Sequence, residues 1–303
     1  MVMMSDLDHI HPQYQQLAST SDEERIRWLR SDRYLGYARA DRILARLEIL
    51  LTYPTRDRMP CLLLFGAPGM GKTKILSKFL RDHPPFIKVG GGTAAPVVCL
   101  QMPPEPDERS FYQELLRALN GGYGPAATAS SMRMVARRML RDLGTKLLVI
   151  DEIHAMLSGS ARQQRIFLNT LRFLTNDLRI PIICAGTDAA RVALLTDQQL
   201  ADRFEAAELG PWKDEDAFHQ LLLGLGAILP LRRPSKLLDP LVRRQILALT
   251  GGNTGRLFRL IETVAVDAIV SGHECLDAAS FRSEDLELPL LSMLERAHRA
   301  LVG

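Results

Sequence analysis

The sequence predicts an α/β protein, a parallel sheet with helices on both faces followed by a helical segment, and three observations predict it. Short apolar runs alternate with amphipathic stretches of helical period between residues 36 and 211, the pattern of strands joined by right-handed helical crossovers. One run, Cys61-Leu62-Leu63-Leu64-Phe65, leads directly into a complete GxxxxGK[ST] segment, which belongs between a strand and a helix. From Trp212 onward the strand signals stop and helical periodicity takes over.

Residues 1–35 are polar with scattered aromatics and read as a partly helical extension. Ser21, with Glu24 three residues on, forms a capping-box start for a helix through Ile26, Trp28 and Leu29. A helix over 38–51 places Ile43, Leu44, Leu47, Leu50 and Leu51 on one face, and Tyr53-Pro54 ends it. The run 61–65 has no polar alternation, as expected of a strand buried on both faces. A helix over 74–81 follows, then a loop marked by Pro84-Pro85 and Gly90-Gly91-Gly92, a strand over 97–101, a helix over 110–119 and a loop over 121–125. The helix at 130–143 sets Met132, Val135, Met139 and Leu143 on one face. Arg133, Arg137 and Arg141 lie on another, with Arg138 beside them. Residues 146–150 form a third strand, 162–178 a helix, 180–185 a fourth strand and 206–209 a short fifth. Helices over 214–225, 237–249, 255–270 and 286–301 make up the rest. The expected organisation is an extension over 1–35, a nucleotide-binding α/β part over 36–211 and a helical part over 212–303.

The segment Gly66-Ala67-Pro68-Gly69-Met70-Gly71-Lys72-Thr73 carries the chemistry. Its glycines permit a tight turn that aims several N–H groups inward, and the following helix N-terminus favours phosphate there. Lys72 is spaced to reach the β- and γ-phosphates of ATP, and the Thr73 hydroxyl to ligate Mg²⁺. Further on, Leu147-Leu148-Val149-Ile150-Asp151-Glu152 is an apolar strand ending in two carboxylates. Asp151 is expected to hold the Mg²⁺ through water and Glu152 to polarise the attacking water. The strand over 180–185 ends in Gly186-Thr187-Asp188, where a polar side chain could sit between the acids and the γ-phosphate. Thr187 is the first candidate and Asp188 the second, against a simple cap or turn role. Arg203, in Asp202-Arg203-Phe204, is placed to stabilise phosphoryl charge in a neighbouring subunit; the alternative is a surface arginine, with Arg191 close by. Arg256 opens a helix after Gly251-Gly252-Asn253-Thr254-Gly255 and could reach back to the γ-phosphate.

Composition bounds the rest. Net charge is +3, with 47% apolar and 24% charged residues, so a nucleic-acid surface would have to come from local clustering of Arg and Lys. No apolar run approaches the length of a membrane span, and residues 1–11 lack a signal-peptide core; a soluble bacterial cytoplasmic protein is expected. Cys61, Cys99, Cys184 and Cys275 are far apart without CxxC spacing and the seven histidines are scattered, so buried reduced thiols and no structural metal are expected.

These five elements in this order resemble an AAA+ ATPase: Walker A, Walker B, sensor 1, arginine finger, and sensor 2 on a helical lid. The resemblance covers roughly residues 36–270 and implies a three-layer αβα core with a five-stranded parallel sheet and a C-terminal helical lid. More narrowly the chain resembles the TniB/TnsC transposition regulators, through Tyr37-Ala38-Arg39-Ala40 to Leu47-Glu48, Met59-Pro60, Asp151-Glu152-Ile153-His154, Arg203-Phe204, Leu209-Gly210-Pro211-Trp212 and Gly252-Asn253-Thr254-Gly255-Arg256. That family implies a homo-oligomer, ring or helical filament, formed by ATP-bound subunits on double-stranded DNA without regard to base sequence. The assembly marks the target and recruits a DDE transposase (TniA-like), often with a TniQ-like adaptor; hydrolysis then remodels it. Many AAA+ proteins carry Asn at sensor 1, where this strand ends in Gly186-Thr187-Asp188.

DNA contact needs Lys and Arg facing phosphates. The candidates are the Arg133/Arg137/Arg138/Arg141 face, the loop with Lys88 and Gly90–Thr93, and residues 158–162 ending at Arg162. Arg232-Arg233 reads as simply exposed. A helicase-loader or replication-initiator ATPase is the alternative reading, and a protein-binding signalling ATPase is one of another class.

Overall fold

The computed structural model describes residues 7–105 and 107–282; the helix expected over 286–301 lies outside them. Contacts divide the chain into two compact units, residues 40–210 and residues 1–39 with 211–303. No helix among the described residues is long and apolar enough to cross a membrane.

The first unit is built on five parallel strands, β1 (Cys61–Phe65), β4 (Val97–Gln101), β5 (Leu147–Asp151), β6 (Ile182–Gly186) and β7 (Phe204–Glu208), in the order β4-β5-β6-β1-β7. Every residue of β1, β5 and β6 is buried, which is why these strands show as unbroken apolar runs. Alternate residues point to opposite faces. On one face Leu63, Phe65, Leu148 and Ile150 pack with Phe111 and Leu115 of α5 (Glu108–Ala118), Ala136 and Leu140 of α6 (Ala129–Asp142), and Phe167 and Leu171 of α7 (Ala161–Asp177). Helix α3 (Ala38–Leu51) buries Ile43, Leu47, Leu50 and Leu51 as its spacing requires, and α4 (Lys72–Asp82) buries Ile75, Leu76 and Phe79.

Two details differ from the sequence expectation. In α6 the buried face is Met132, Ala136 and Leu140, while Val135 is exposed; the small Ala136 occupies the inward position that period alone assigned to the larger Val135. The segment expected as a loop over 84–92 contains an antiparallel pair, β2 (Phe86–Ile87) with β3 (Thr93–Ala94), whose tip exposes Ile87 and Val89. A 3-10 helix, Ile153–Ser158, follows β5, and α8 (Asp188–Leu195) and α9 (Gln198–Ala201) fill the stretch between β6 and β7.

The second unit contains α1 (Pro12–Ala18), α2 (Asp22–Arg30), α10 (Asp216–Ile228), α11 (Pro240–Thr250) and α12 (Thr254–Val270). Both halves of the capping box at Ser21 and Glu24 are present. Helix α2 packs on α12, and its Arg25 is wholly buried. The Arg25 guanidinium donates to both Glu274 carboxylate oxygens at 2.8 and 2.7 Å, to the Pro230 carbonyl at 2.9 Å and to Asp22 at 2.7 Å. Burial alone would raise the Glu274 pKa; its bonds to Arg25 and to the Arg232 N–H outweigh that and hold it below the usual glutamate range. Removing Arg25 strips the Glu274 carboxylate of its two shortest charged contacts and leaves it Arg232 alone, so Arg25→Ala is expected to cost about 3 kcal/mol in urea unfolding. Because the folded pKa of Glu274 is depressed, the stabilisation is full above the ordinary glutamate pKa and is lost as pH falls through the lowered value. An Arg25→Ala protein as stable as the unmodified one at neutral pH would refute the assignment.

Candidate functional site

The strand order sets the loops after β5, β6 and β1 side by side at the carboxyl edge of the sheet, where open α/β sheets bind ligands. At the end of β1 the chain turns through Gly66 to Thr73. A Cβ on Gly66 would lie 2.4 Å from the Leu209 carbonyl oxygen, so only glycine fits beside the end of β7. Gly71 caps α4 at φ +94°, a left-handed conformation that glycine adopts without strain. The Gly66 N–H donates to the Gly186 carbonyl at 3.3 Å, tying this loop to the end of β6.

Lys72 is buried, and its ammonium donates to the Gly66 and Ala67 carbonyls at 2.9 and 3.0 Å. Burial lowers its pKa, while Glu152 and Asp151 pull the other way. The Thr73 hydroxyl donates to one Asp151 carboxylate oxygen at 2.9 Å, and the Glu152 N–H to the other at 2.8 Å. Residues 78 positions apart thus present a hydroxyl and a carboxylate together, an oxygen-only donor pair of the kind a hard divalent cation takes. Thr73 and Asp151 fit a Mg²⁺, and Lys72 with the loop N–H groups fits a triphosphate.

Glu152 has φ +54°. A non-glycine residue in that region is strained, and such strain concentrates at functional sites. Its carboxylate is half-exposed and lies 3.2 Å from the His154 Nε2, while the buried Nδ1 of His154 has no hydrogen-bond partner among the described residues. Sequence reasoning assigned His154 no role; its signal was its place two residues after Glu152. At the end of β6 a Cβ on Gly186 would meet Ile153 at 2.7 Å, so the β6 and β5 loops abut. Thr187 is half-buried there and its side chain makes no cap bond, whereas Asp188 is exposed and accepts from Arg191 at 2.7 Å.

Arg203 lies elsewhere. Its carbonyl accepts from the Cys61 N–H at 2.9 Å, at the start of β1, and its guanidinium donates to Thr175 at 3.0 Å and Asn176 at 2.6 Å at the end of α7. Arg256 stands on the first turn of α12, in the other unit, after Asn253 caps that helix by accepting from the Arg256 N–H. Trp212 fixes the same turn, donating from its N–H to Gly252 at 2.9 Å and from Nε1 to Thr254 at 3.0 Å.

The DNA-contact candidates separate. Arg133 pairs with Glu108 at 3.0 Å and Arg137 with Asp177, so the centre of the α6 arginine face is committed to α5 and α7. Arg138 is exposed beside Asp142 at 3.6 Å. Lys88 is exposed at the hairpin tip and donates to the Asp142 carbonyl at 2.8 Å. Arg141 and Arg162 are exposed. Arg232 is not simply exposed, since it bonds Glu274 at 3.3 Å and the Ala18 carbonyl at 3.2 Å.

The cysteines are free, three of them buried, and burial pushes the thiols of Cys61 and Cys99 up to about 11 and about 12. Among the described residues their scatter hides a convergence: donor atoms of His273, Cys275 and Asp277 lie within 4.8 Å of one another. Arg233 and Lys236 also bear on that thiol.

Similar solved structures include the ORC2 protein of Aeropyrum pernix in ADPNP–ADP complexes, 15% identical over 84% of this chain and 70% of that one, with a TM-score of 0.59. The ORC1 protein of the same organism in complex with DNA is 16% identical over 91% and 69%, with a TM-score of 0.55. A Walker-type ATPase of Pyrococcus abyssi, PABY2304, is 16% identical over 90% and 80%, with a TM-score of 0.56. No curated protein matches. With β6 at the centre of its sheet, a glycine-rich loop after β1 and acids at the end of β5, the α/β unit has the fold of the AAA+ ATPases. The family model of the bacterial TniB protein matches residues 25–214, well over half of the chain. The chain belongs to the TniB family.

Proposed function

We propose that this chain is an ATP-hydrolysing regulator of DNA transposition that oligomerises on double-stranded target DNA in the ATP state. One observation carries the reading: Lys72, Thr73, Asp151 and Glu152 converge on one loop edge, in a chain of the TniB family. Lys72 and the loop N–H groups bind the β- and γ-phosphates, and Thr73 and Asp151 hold the metal. Mg²⁺, when bound, neutralises charge developing on the transferring phosphoryl group. Glu152 orients and polarises the attacking water, with His154 holding its carboxylate, and Thr187 donates its hydroxyl toward the γ-phosphate. Arg203, at the strand-start edge, serves the nucleotide of an adjacent subunit; Arg256 senses the γ-phosphate from the helical unit. A ligand bound by two subunits favours their association by mass action, so ATP becomes the condition for assembly.

The DNA-bound assembly would recruit a TniA-like DDE transposase, with a TniQ-like adaptor, in a bacterial cytoplasm. Of the candidate cations, the exposed Arg141, Arg162 and Lys88 of the hairpin face the DNA backbone in this reading. A helicase-loader or initiator role shares the fold with the ORC proteins, and the family match favours transposition over it.

Sedimentation and electron microscopy with duplex DNA test this reading. Assembly is expected only with ATP or a non-hydrolysable analogue. Log affinity should fall linearly with log salt by about 0.9 per phosphate neutralised, and Arg162→Ala should flatten that slope. Nucleotide-independent assembly, or indifference to DNA, would exclude it; stimulation of a replicative helicase rather than a DDE transposase would favour the alternative.

A further inference from the structure

The loop after α12 brings three kinds of metal donor together. Residues 273, 275 and 277 alternate with Glu274 and Leu276. Glu274 turns inward to Arg25, and Leu276 is fully buried. The imidazole of His273 and the carboxylate of Asp277 stay 43% and 30% exposed, and Cys275 is 7% exposed. The loop is pinned along its length. The Glu274 N–H donates to the Ala268 carbonyl and the Arg233 N–H to the Glu274 carbonyl, both at 2.9 Å. The Leu276 N–H donates to the Ser235 hydroxyl at 3.0 Å, and the Lys236 N–H to the Leu276 carbonyl at 2.7 Å. The Ala279 N–H holds Asp277 Oδ1 at 2.9 Å. Oδ2 is then the oxygen that meets His273, 3.3 Å from its Nε2. Such outer contacts orient a ligating carboxylate.

That separation is the one a tetrahedral zinc ion needs. Zn–N and Zn–O bonds of about 2.0–2.2 Å set neighbouring ligand atoms about 3.3–3.5 Å apart, and a Zn–S bond of about 2.3 Å sets sulfur about 3.6 Å from either. No two of the three donor atoms are more than 4.8 Å apart, so about 1 Å of side-chain movement closes the triangle. One thiolate, one imidazole and one carboxylate form a donor set that suits zinc, with water completing the tetrahedron. The oxygen pair of Thr73 and Asp151 suits a harder cation. Arg233 and Lys236 act on the thiol and oppose a cation there, but both are exposed, where solvent screens them. The Arg233 guanidinium is also engaged by the His273 carbonyl at 3.2 Å. We propose that His273, Cys275 and Asp277 bind one zinc ion, which clips the loop that carries Glu274 to Arg25. Binding exchanges the Cys275 thiol proton for the ion and releases that proton to solvent. Cysteine and histidine spacing alone predicts no metal, because the third donor is a carboxylate and the donors fall at every second residue. Such a clip acts within the helical unit and needs no nucleotide.

Cobalt is the probe, because its thiolate charge-transfer band and tetrahedral visible bands report the ligands directly. The full chain, stripped of metal by a chelator and kept reduced, is titrated with Co²⁺ in excess Mg²⁺, which occupies the oxygen pair near Lys72. A single equivalent of Co²⁺ should give a thiolate band that stoichiometric Zn²⁺ removes. Cys275→Ser should abolish the band and Cys99→Ser should keep it. His273→Ala and Asp277→Asn, both at partly exposed side chains, should weaken zinc by more than the roughly 10–100-fold that loss of an outer-shell partner costs. Zinc should raise the unfolding temperature of the unmodified chain by several degrees and leave that of His273→Ala unchanged. A cobalt complex without a thiolate band, a band that survives Cys275→Ser, or a band that Mg²⁺ removes would overturn the site. So would zinc affinity unaltered in both His273→Ala and Asp277→Asn. Zinc bound with no rise in unfolding temperature would overturn the clip. Metal-free Cys275→Ser should unfold at the unmodified temperature, so that a lost band means a lost ligand; if it does not, His273→Ala and Asp277→Asn decide.

Discussion

Lys72→Ala is expected to abolish useful nucleotide binding, weakening affinity by about 2–5 kcal/mol, the cost of truncating one partner of a buried charged contact. The ammonium closes the loop on itself through the Gly66 and Ala67 carbonyls. The Asp151 and Glu152 carboxylates also act on it electrostatically, favouring its charged form. Its loss removes the charge that offsets the phosphates and leaves two acids facing them. Fold stability should change little. Burial lowers the Lys72 pKa, so keeping that cation charged works against the folded state rather than for it. Titration with a fluorescent ATP analogue, with circular dichroism to check the fold, is the measurement. Unchanged affinity in a folded Lys72→Ala protein would end the assignment of this loop as the phosphate site.

Much of that site was legible in the sequence because backbone geometry restricts residue types there. Gly66 cannot be replaced beside Leu209, and Gly71 must turn left-handed; β1 and β5 show as unbroken apolar runs because both of their faces are covered. What stayed hidden depends on partners distant in the chain. Nothing local to Arg25 announces Glu274, 249 residues away, and nothing in the four-residue spacing of Arg133 and Arg137 says that Glu108 and Asp177 meet them. The α6 core face was misassigned at Val135 because a periodicity argument favours larger apolar residues, whereas helix contact selects whichever position faces inward, here Ala136. The hairpin β2–β3 escaped because two-residue strands with exposed Phe86 and Ile87 carry no alternation.

Glu152→Gln is expected to separate binding from hydrolysis. The substitution preserves shape and removes one charge, and the residue keeps its N–H bond to Asp151, so the Thr73–Asp151 pair proposed to hold the metal should persist. Nucleotide affinity should hold or rise slightly, because a carboxylate no longer faces the γ-phosphate. Turnover should fall by about 10²–10⁴-fold, the contribution of a positioned general base. The left-handed backbone at Glu152 sharpens the argument. A strained conformation costs about 1–3 kcal/mol and persists where the surroundings over-determine it. Here it turns the side chain after Asp151 out of the strand to where His154 meets it. If Glu152 were merely structural, Glu152→Gly would relieve that strain, raise stability and leave turnover intact. If Glu152 is the base, Glu152→Gly gains stability yet hydrolyses no faster than Glu152→Gln. Phosphate release on DNA together with thermal unfolding of both variants decides between these. Near-normal turnover by Glu152→Gln would remove Glu152 from the chemistry and leave Asp151 with the metal as the only acid in the site with a role.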